Sequence, residues 1–448
     1  MGTALGVAKD VMRRQGGVKM DGEPVDVVNT QGSGLGSVPS HSDEAAKAAL
    51  GVEGPRCDDN VVYSNVDSEA TAVFQATLAR HYLIPTPEDL AQSETAILDF
   101  VTNPNVRVVI PMREMDKPKP GEEARVAGGL DYLLGWLDPN QILVVQDDSS
   151  AAALEAVRRR GVKVLDTREI TKFVDWNKLF SVLGLKDHPR GKGTAMWAGY
   201  LYEFARARKF GSQPHWLLFH DAETRNSKDY RALETWVWGL LQFPQAHYGQ
   251  IARGGRNNEV PMAARVMMDI LGASWVGVDP AISQRASQLF EGLTPSKWMC
   301  TGEFGLRGDW AFNALFATGY LIETFLATQA FDQVAWLRDV HSFYAEAPAT
   351  RLDGTNTWTK EGMMMQSIAK FILALALSAK STIEWDLDFI RWFNTSSPFA
   401  TPQLLALIPP PSGPVEAKAW NPEKVLPSPR MLVENEMLNV SGLMELVD

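Results

Sequence analysis

Trp216-Leu-Leu-Phe-His-Asp-Ala-Glu-Thr-Arg-Asn226 decides the fold: an apolar run of strand length stops at two carboxylates separated by one small residue. Four consecutive apolar residues, Trp216 to Phe219, are the pattern of a strand covered on both faces, as in a mostly parallel sheet. Ligands of such sheets bind beyond the carboxyl ends of the strands. Asp221 and Glu223 would emerge at that edge, where hard oxygen ligands suit Mg²⁺ or Mn²⁺. Asp221-Ala222-Glu223 reads as a variant of an Asp-x-Asp metal motif. The other reading of so short a tripeptide is a solvated loop.

Upstream of this stretch, apolar runs alternate with helical segments. Val106-Arg-Val-Val-Ile-Pro111 is a β-branched run closed by proline, followed by Arg113, Glu114 and a Pro/Gly-rich loop through Gly121. A helix over roughly 122–136 leads to the strand Ile142-Leu-Val-Val-Gln146, which ends in Asp147-Asp-Ser-Ser150. Ala151 to Arg160 predicts another helix, Val162 to Leu165 a third strand, and Thr194 to Arg208 a helix after Gly191-Lys-Gly193. Strand, helix and strand at this spacing predict a right-handed parallel unit and an open α/β sheet with its site at the carboxyl edge. Asp147 or Asp148 could accept hydrogen bonds from a nucleobase or ribose, or Asp148 or Ser149 could cap the next helix. Lys192 offers a cation, and the following helix N-terminus offers amide donors, to a phosphate. Gly-Lys-Gly is otherwise just a turn.

Composition narrows the partners. At 448 residues the chain can bury a large core, and its net charge of −11 argues against nucleic acid while leaving room for one small anion in a locally basic pocket. Cys57 and Cys300, far apart in sequence, offer neither a disulfide framework nor zinc spacing, and a reducing, cytoplasmic setting fits. The first residues lack the pattern of a secretory signal. Met363 to Ala379 is interrupted by Gln366, Ser367 and Lys370 and reads as a buried helix, not a membrane span. Residues 1–60 read as a loosely ordered tail, whose Gln31-Gly-Ser-Gly-Leu-Gly-Ser37 lacks the Lys-Ser/Thr ending and preceding strand of a phosphate loop. Helical spacing recurs over 67–82 and 87–101, with a start at Thr86-Pro-Glu-Asp.

Four stretches in order carry a resemblance: Val109-Ile-Pro-Met-Arg-Glu114, Val144-Val-Gln-Asp-Asp-Ser-Ser150, Gly191-Lys-Gly-Thr-Ala195 and Phe219-His-Asp-Ala-Glu223. Together they resemble the nucleotide-sugar domain of glycosyltransferases with the A-type fold, mannosyl-3-phosphoglycerate synthases and related hexosyltransferases in particular. Arg253-Gly-Gly-Arg-Asn-Asn-Glu-Val260, Thr301-Gly-Glu-Phe-Gly-Leu-Arg-Gly-Asp-Trp-Ala311 and Ala317-Thr-Gly-Tyr-Leu-Ile-Glu323 extend the likeness over roughly 105–330. Two departures stand out. Glu223 replaces the family's second motif aspartate, and Arg307-Gly308-Asp309 replaces its Glu-His-Ala.

The resemblance implies a Rossmann-like, mostly parallel sheet with a helical C-terminal region. It implies a metal-dependent transfer of mannose or glucose from a nucleoside-diphosphate sugar, GDP-linked by expectation, to 3-phosphoglycerate or a glycerate-like acceptor, as in compatible-solute synthesis. Donor-site residues would be Pro111, Arg113, Glu114, Asp147, Asp148, Lys192, Asp221 and Ala222, and metal ligands Asp221, Glu223 and His341, one of seven histidines. His220 is a second choice, although neighbours on a strand point to opposite faces. Arg253, Arg256 and Asn257, with Arg265, would hold the anionic acceptor beside Thr301 and Gly302, the other reading being a solvated turn. Glu303 or Asp309 would orient the acceptor hydroxyl or act as base, alongside Asp221 in the catalytic set.

The expected organisation is a tail (1–60), a nucleotide-sugar-binding domain (61–230), an acceptor-binding part (231–330) and a helical C-terminal region (331–448). That last region would hold helices over Phe331–Tyr344, 361–379 and Trp385–Phe393, a loop over 347–358 and, after Ile408-Pro-Pro-Pro-Ser-Gly-Pro414, an extended arm suited to a homodimer. Two other functions use a similar sheet: a nucleotidyltransferase making the activated sugar, and a non-catalytic sugar-nucleotide-binding relative. The first would carry a Gly-rich basic loop after its first strand, which Pro111-Met-Arg-Glu114 is not.

Overall fold

Trp216–Phe219 forms a strand, β5, with all four side chains buried. In a computed structural model of the protein, the described residues are 82–113, 122–211, 216–222, 224, 227–252, 302–319, 321–335, 342–348, 385–395 and 424–447. The other strands are β1 (Tyr82–Leu83), β2 (Val106–Arg113), β3 (Ile142–Asp147), β4 (Lys163–Asp166), β6 (Tyr248–Ala252), β7 (Phe304–Arg307), β8 (Phe316–Ala317), β9 (Ser342–Glu346) and β10 (Val425–Leu426). One eight-stranded sheet has the order β1-β9-β6-β7-β5-β2-β3-β4, and β10 with β8 makes a separate pair. Within the large sheet only β7 runs antiparallel to its neighbours, β5 and β6. The fold is thus the open, mostly parallel α/β architecture that the alternating pattern predicts, with helical segments in the C-terminal region.

The period of two along a strand sorts side chains between the faces. Val109, Leu143, Val145, Leu217 and Phe219 join one core. Val108, Ile110, Ile142, Val144, Trp216 and Leu218 join the other. Each of these large side chains contributes ~1.5–3 kcal/mol when fully buried. The first core is covered by a nineteen-residue helix, Lys192–Phe210, buried along most of its length.

The remaining helices of the α/β region are Pro87–Gln92, Glu94–Val101, Glu122–Leu133, Ala151–Arg158, Thr167–Thr171, Trp176–Leu183, Ser227–Tyr230, Ala232–Gln242, Gly308–Ala311 and Ile322–Ala335. Thr86 starts the first of them with a capping box to Asp89, and the helical pattern over 87–101 is broken at Ser93. We label four helices: α1 (Trp176–Leu183), α2 (Lys192–Phe210), α3 (Ile322–Ala335) and α4 (Leu387–Thr395).

A buried ion pair ties α2 to the sheet. Arg107, on the α2 face of β2, donates from Nε and Nη2 to the Glu203 carboxylate at 3.1 and 3.2 Å and from Nη1 to the Asn140 carbonyl. Both members are nearly inaccessible, so the geometry has to satisfy them completely.

Several expectations are corrected. β2 does not stop at Pro111 but runs on to Arg113. The Val109 carbonyl accepts from the His220 amide, so the backbone of Pro111, two residues on, faces the same side. β5 has already ended there, and the missing N–H costs no ladder bond. Tyr82 belongs to β1, not to a helix; 67–81 lies outside the described residues. Helix α2 starts at Lys192, two residues early, because Gly191 at φ +101° provides the cap. The stretch read as a helix through Tyr344 changes to strand β9 at Ser342, which pairs with β6 and β1. Strands from before and after residue 230 share this one sheet.

The expected extended arm does not extend where it is described. Residues 424–447 fold back onto the α/β core as β10 and two short helices, Pro429–Glu434 and Val440–Glu445. The Trp197 indole donates to the Pro427 carbonyl at 2.8 Å, Lys178 Nζ to Asn435 O at 2.6 Å and Lys163 Nζ to Leu446 O at 2.7 Å. These residues therefore pack on their own chain and do not extend from it. The tail 1–60, the helix 361–379, most of the loop 347–358 and the Pro-rich 408–414 lie outside the described residues.

Candidate active site

Three adjacent parallel strands, β3, β2 and β5, deliver Asp147, Pro111 and Asp221 to the carboxyl edge on the side of α2. The alternation that puts Val145 and Phe219 in the α2 core continues to Asp147 and Asp221. Asp147 is buried, and its Oδ2 accepts from the Gly191 amide at 3.2 Å, bracing the turn before α2. His188, two residues before that turn's first member Arg190, packs edge-on against Trp176 (4.6 Å) and Phe180 (5.1 Å) of α1. The segment leading into α2 is thereby tied to β3 through Gly191 and to α1 through His188.

Lys192, the first residue of α2, reaches Asp221 Oδ1 at 2.6 Å and also bonds the Glu323 carboxylate, from the first turn of α3. Burial works against the charge of its ammonium. Asp221 and then Glu323 outweigh that effect and hold it well above the usual lysine range. Two carboxylates around one ammonium leave this three-residue cluster with a net charge of −1.

Gly302 closes the other flank of Asp221. Its φ is +75°, and a Cβ there would overlap the Asp221 carboxylate, so a left-handed glycine is what lets the two segments meet. Glu303 follows, fully buried, with its carbonyl accepting from Ile251 and its carboxylate from Thr224 Oγ1 at 3.5 Å. His220 turns away to the opposite face. Its Nδ1 lies 2.9 Å from the Asp221 carbonyl oxygen, and its ring shares a small, largely apolar pocket with Ile110, Met112, Leu130 and Val144. Ala222 is buried against that same pocket.

The structure therefore brings together Asp147, Lys192, Asp221 and Gly302 on the α2 face, while Ala222 and Glu303 reach the same edge on the opposite face, with His220 and beside Ile251. It does not bring Asp309 to them. β7 is antiparallel to β5, with Phe304 beside Phe219 and Arg307 beside Trp216, so Asp309 follows at the amino edge. The length of β5 alone, roughly 10 Å at ~3.3 Å per residue, separates the two edges. Asp148 adopts φ +58° and pairs with Arg168 at 2.8 Å, both more than half exposed, which leaves Asp147 as the inward carboxylate. Neither Asp148 nor Ser149 caps the next helix; Ser150 does, accepting from Ala153. Arg113 ends β2 at the same edge, while Glu114, Glu223, Arg253, Arg256, Asn257, Arg265, Thr301 and His341 lie outside the described residues.

Glu323, at the end of Ala317–Glu323, is the member of this cluster that the sequence reading assigned no role. The available signal was its isolation: it is the single charged side chain between Asp309 and Asp332. A lone carboxylate in so apolar a run needs a partner when buried.

Among the described residues, no group of three or more His, Cys, Asp or Glu side chains is arranged to hold a metal ion. The described part of the site supplies donors of the type such an ion takes, Asp221 and Glu323, with the Lys192 ammonium between them. These donors are hard carboxylate oxygens, the net charge of the cluster is negative, and Gly302 leaves room for the Asp221 carboxylate where any side chain would displace it.

No protein-family model matches the chain, and no curated protein sequence matches it. Among solved structures it is similar to mannosyl-3-phosphoglycerate synthase from Rubrobacter xylanophilus, with 16% identity over 68% of this chain and 82% of that one and a TM-score of 0.43. It is also similar to glucosyl-3-phosphoglycerate synthase from Mycobacterium tuberculosis in complex with Mn²⁺ and UDP-glucose, with 16% identity over 68% and 88% of the two chains and a TM-score of 0.44. The same enzyme in complex with phosphoglyceric acid matches with a TM-score of 0.42, at the same identity and coverage. Likeness at that level leaves the site's chemistry to be read from this chain's own side chains. No helix among the described residues is long and apolar enough to cross a membrane.

Proposed function

We propose that this chain is a hexosyltransferase that moves mannose or glucose from a nucleoside-diphosphate sugar, GDP-linked by preference, to phosphoglycerate or a glycerate-like acceptor. The observation that carries the reading is Lys192 held between Asp221 and Glu323 at the N-terminus of a long helix, at the carboxyl edge of a parallel sheet. A departing diphosphate gathers negative charge. Lys192 and the amides of the first turn of α2 are pre-aimed donors for it, which act without reorganisation when the charge develops.

A further cation would suit the site, because an anionic diphosphate would enter beside carboxylates, Asp221, Glu323 and Asp147, that outnumber Lys192. Mg²⁺ or Mn²⁺, held by Asp221 with Glu223 and His341, would supply Lewis-acid stabilisation of the leaving group. Pro111, Arg113, Glu114 and Asp147 stand in sequence where a nucleobase and ribose would lie. Glu303, buried and braced by Thr224, is suited to orient an acceptor hydroxyl. Arg253, Arg256, Asn257 and Thr301 would take the acceptor's anionic group.

Thermal denaturation with GDP-mannose, GDP-glucose or UDP-glucose, each with Mg²⁺ or Mn²⁺, tests donor class, since a ligand of the native state must raise Tm. Asp221→Ala should keep the fold and abolish metal-dependent transfer to 3-phosphoglycerate. Full activity in that variant would end the transferase reading.

A further inference from the structure

The segment that carries Glu323 is held in place from the far end of the chain. Among the described residues β8 pairs with β10 alone, and Phe316, Ala317, Val425 and Leu426 are all fully buried in the α2 core. Polar bonds at the ends of the pair then fix where the backbone leaves that core. The Thr318 amide donates to the Lys424 carbonyl at 2.8 Å, and the Lys424 amide donates back to Thr318 Oγ1 at 2.8 Å. Val425 is gripped in turn by Asn394 of α4, whose Nδ2 donates to the Val425 carbonyl at 3.0 Å and whose Oδ1 accepts from the Val425 amide at 2.8 Å. Lys424 Nζ closes the loop on the Asn394 carbonyl at 2.8 Å. Thr318 and Asn394 are both 5% exposed.

The same backbone presses on the catalytic turn. A Cβ on Gly193 would overlap the Ala317 carbonyl and lie 2.9 Å from Thr318 Cα, so 317–318 rests directly on the residue after Lys192. Five residues beyond Thr318, Glu323 reaches Lys192 itself. Between them Gly319 turns the chain at φ +67°.

We propose that Thr318 is a positioning residue of the active site: clamped to Lys424 and, through Val425, to Asn394, it fixes the backbone that seats Glu323 against Lys192. Residues 424–427 are then part of the machinery of transfer. The proposal rests on the transferase reading above for its activity readout and on geometry alone for its structural one. A valine at 318 keeps the shape of threonine and removes only the acceptor for the Lys424 amide. A serine keeps the acceptor.

The test compares Thr318→Val, Thr318→Ser and Asn394→Ala in the full chain, by steady-state transfer to 3-phosphoglycerate and by amide hydrogen exchange. Thr318→Val should lower kcat about tenfold while the donor KM moves less than about twofold, and Thr318→Ser should stay near wild type. Exchange should quicken at 316–323 and leave β2, β3 and β5 as protected as before. Adding Asn394→Ala to Thr318→Val should cost little more, because both open one clamp. Unchanged kcat in Thr318→Val, equal losses in the valine and serine variants, or exchange that rises across the whole sheet would each overturn the proposal. If wild type transfers from none of the sugar nucleotides, the transferase reading falls. Unchanged protection at 316–323 in Thr318→Val would then still decide against the clamp.

Discussion

Replacing Gly302 by alanine separates backbone strain from damage to the site. Gly302 holds φ +75°, a conformation that costs a residue with a Cβ roughly 1–2 kcal/mol. Its Cβ would also fall on the Asp221 carboxylate, which must swing away from Lys192, 2.6 Å distant. Two unit charges near a protein surface interact by ~4 kcal/mol at ~4 Å. Lys192 and Asp221 are 24% and 18% exposed and Glu323 remains on the lysine, so about half of that, ~2 kcal/mol, is the expected second loss. Gly161 supplies the control, with φ +71° and nothing within 4 Å of an added Cβ. Urea unfolding should show a loss of ~1–2 kcal/mol for Gly161→Ala and ~3–4 kcal/mol for Gly302→Ala. Transfer activity should survive in the first and fall steeply in the second. Equal stability losses with activity retained in both would refute the placement of Gly302 against Asp221.

Three further outcomes follow from the same geometry. Lys192→Met leaves Asp221 and Glu323 facing each other without their shared cation, and kcat should fall by roughly 10²–10³, the cost of losing one pre-aimed donor to a developing anion; a fall of less than about tenfold in steady-state assays would remove Lys192 from the chemistry. Gly193→Ala should push the 317–318 backbone off the first turn of α2 and cut turnover, with the far-ultraviolet dichroism of the sheet and helices unchanged; wild-type turnover would count against that contact. Arg107→Met strands the Glu203 carboxylate, 1% exposed, and should cost ~3–5 kcal/mol in urea unfolding. A loss under about 1 kcal/mol would show that water or another cation reaches Glu203.

Local pattern was legible and distant pairing was not. Trp216–Phe219 reads as a strand because four apolar residues have only one comfortable place in an α/β sheet, between two covered faces. Lys192 and Asp221 were readable as chemistry because each follows a structural stop, a glycine turn or a strand end. Pro111 misled because a proline ends a strand only when its missing N–H faces a neighbour, and β5 had already finished. Asp309 misled because nothing local to it reveals that β7 runs antiparallel. Ser342–Glu346 is a strand through pairing with β6 and β1, the latter some 260 residues earlier, and local spacing cannot report such partners. The fold-back of 424–447 rests on carbonyls bonded by Lys163, Lys178 and Trp197, again invisible to periodicity.

The one antiparallel strand explains how an otherwise parallel sheet assembles this site. In a purely parallel sheet every connection between neighbours starts at the carboxyl edge and ends at the amino edge, so a loop that leaves the active edge cannot come back to it in the next strand. β7 breaks that rule. β6 runs in the same direction as β5, with Gln250 beside Phe304 and Phe304 beside Phe219, so Ala252 ends β6 at the level of Asp221. The chain returns at Gly302 and Glu303, with the Ile251 amide bonded to the Glu303 carbonyl at 3.0 Å. Both ends of the connection are therefore anchored at the active edge, one immediately before Arg253 and the other against the Asp221 carboxylate. That anchoring requires Gly302, since a side chain there would close the gap through which the returning chain meets Asp221.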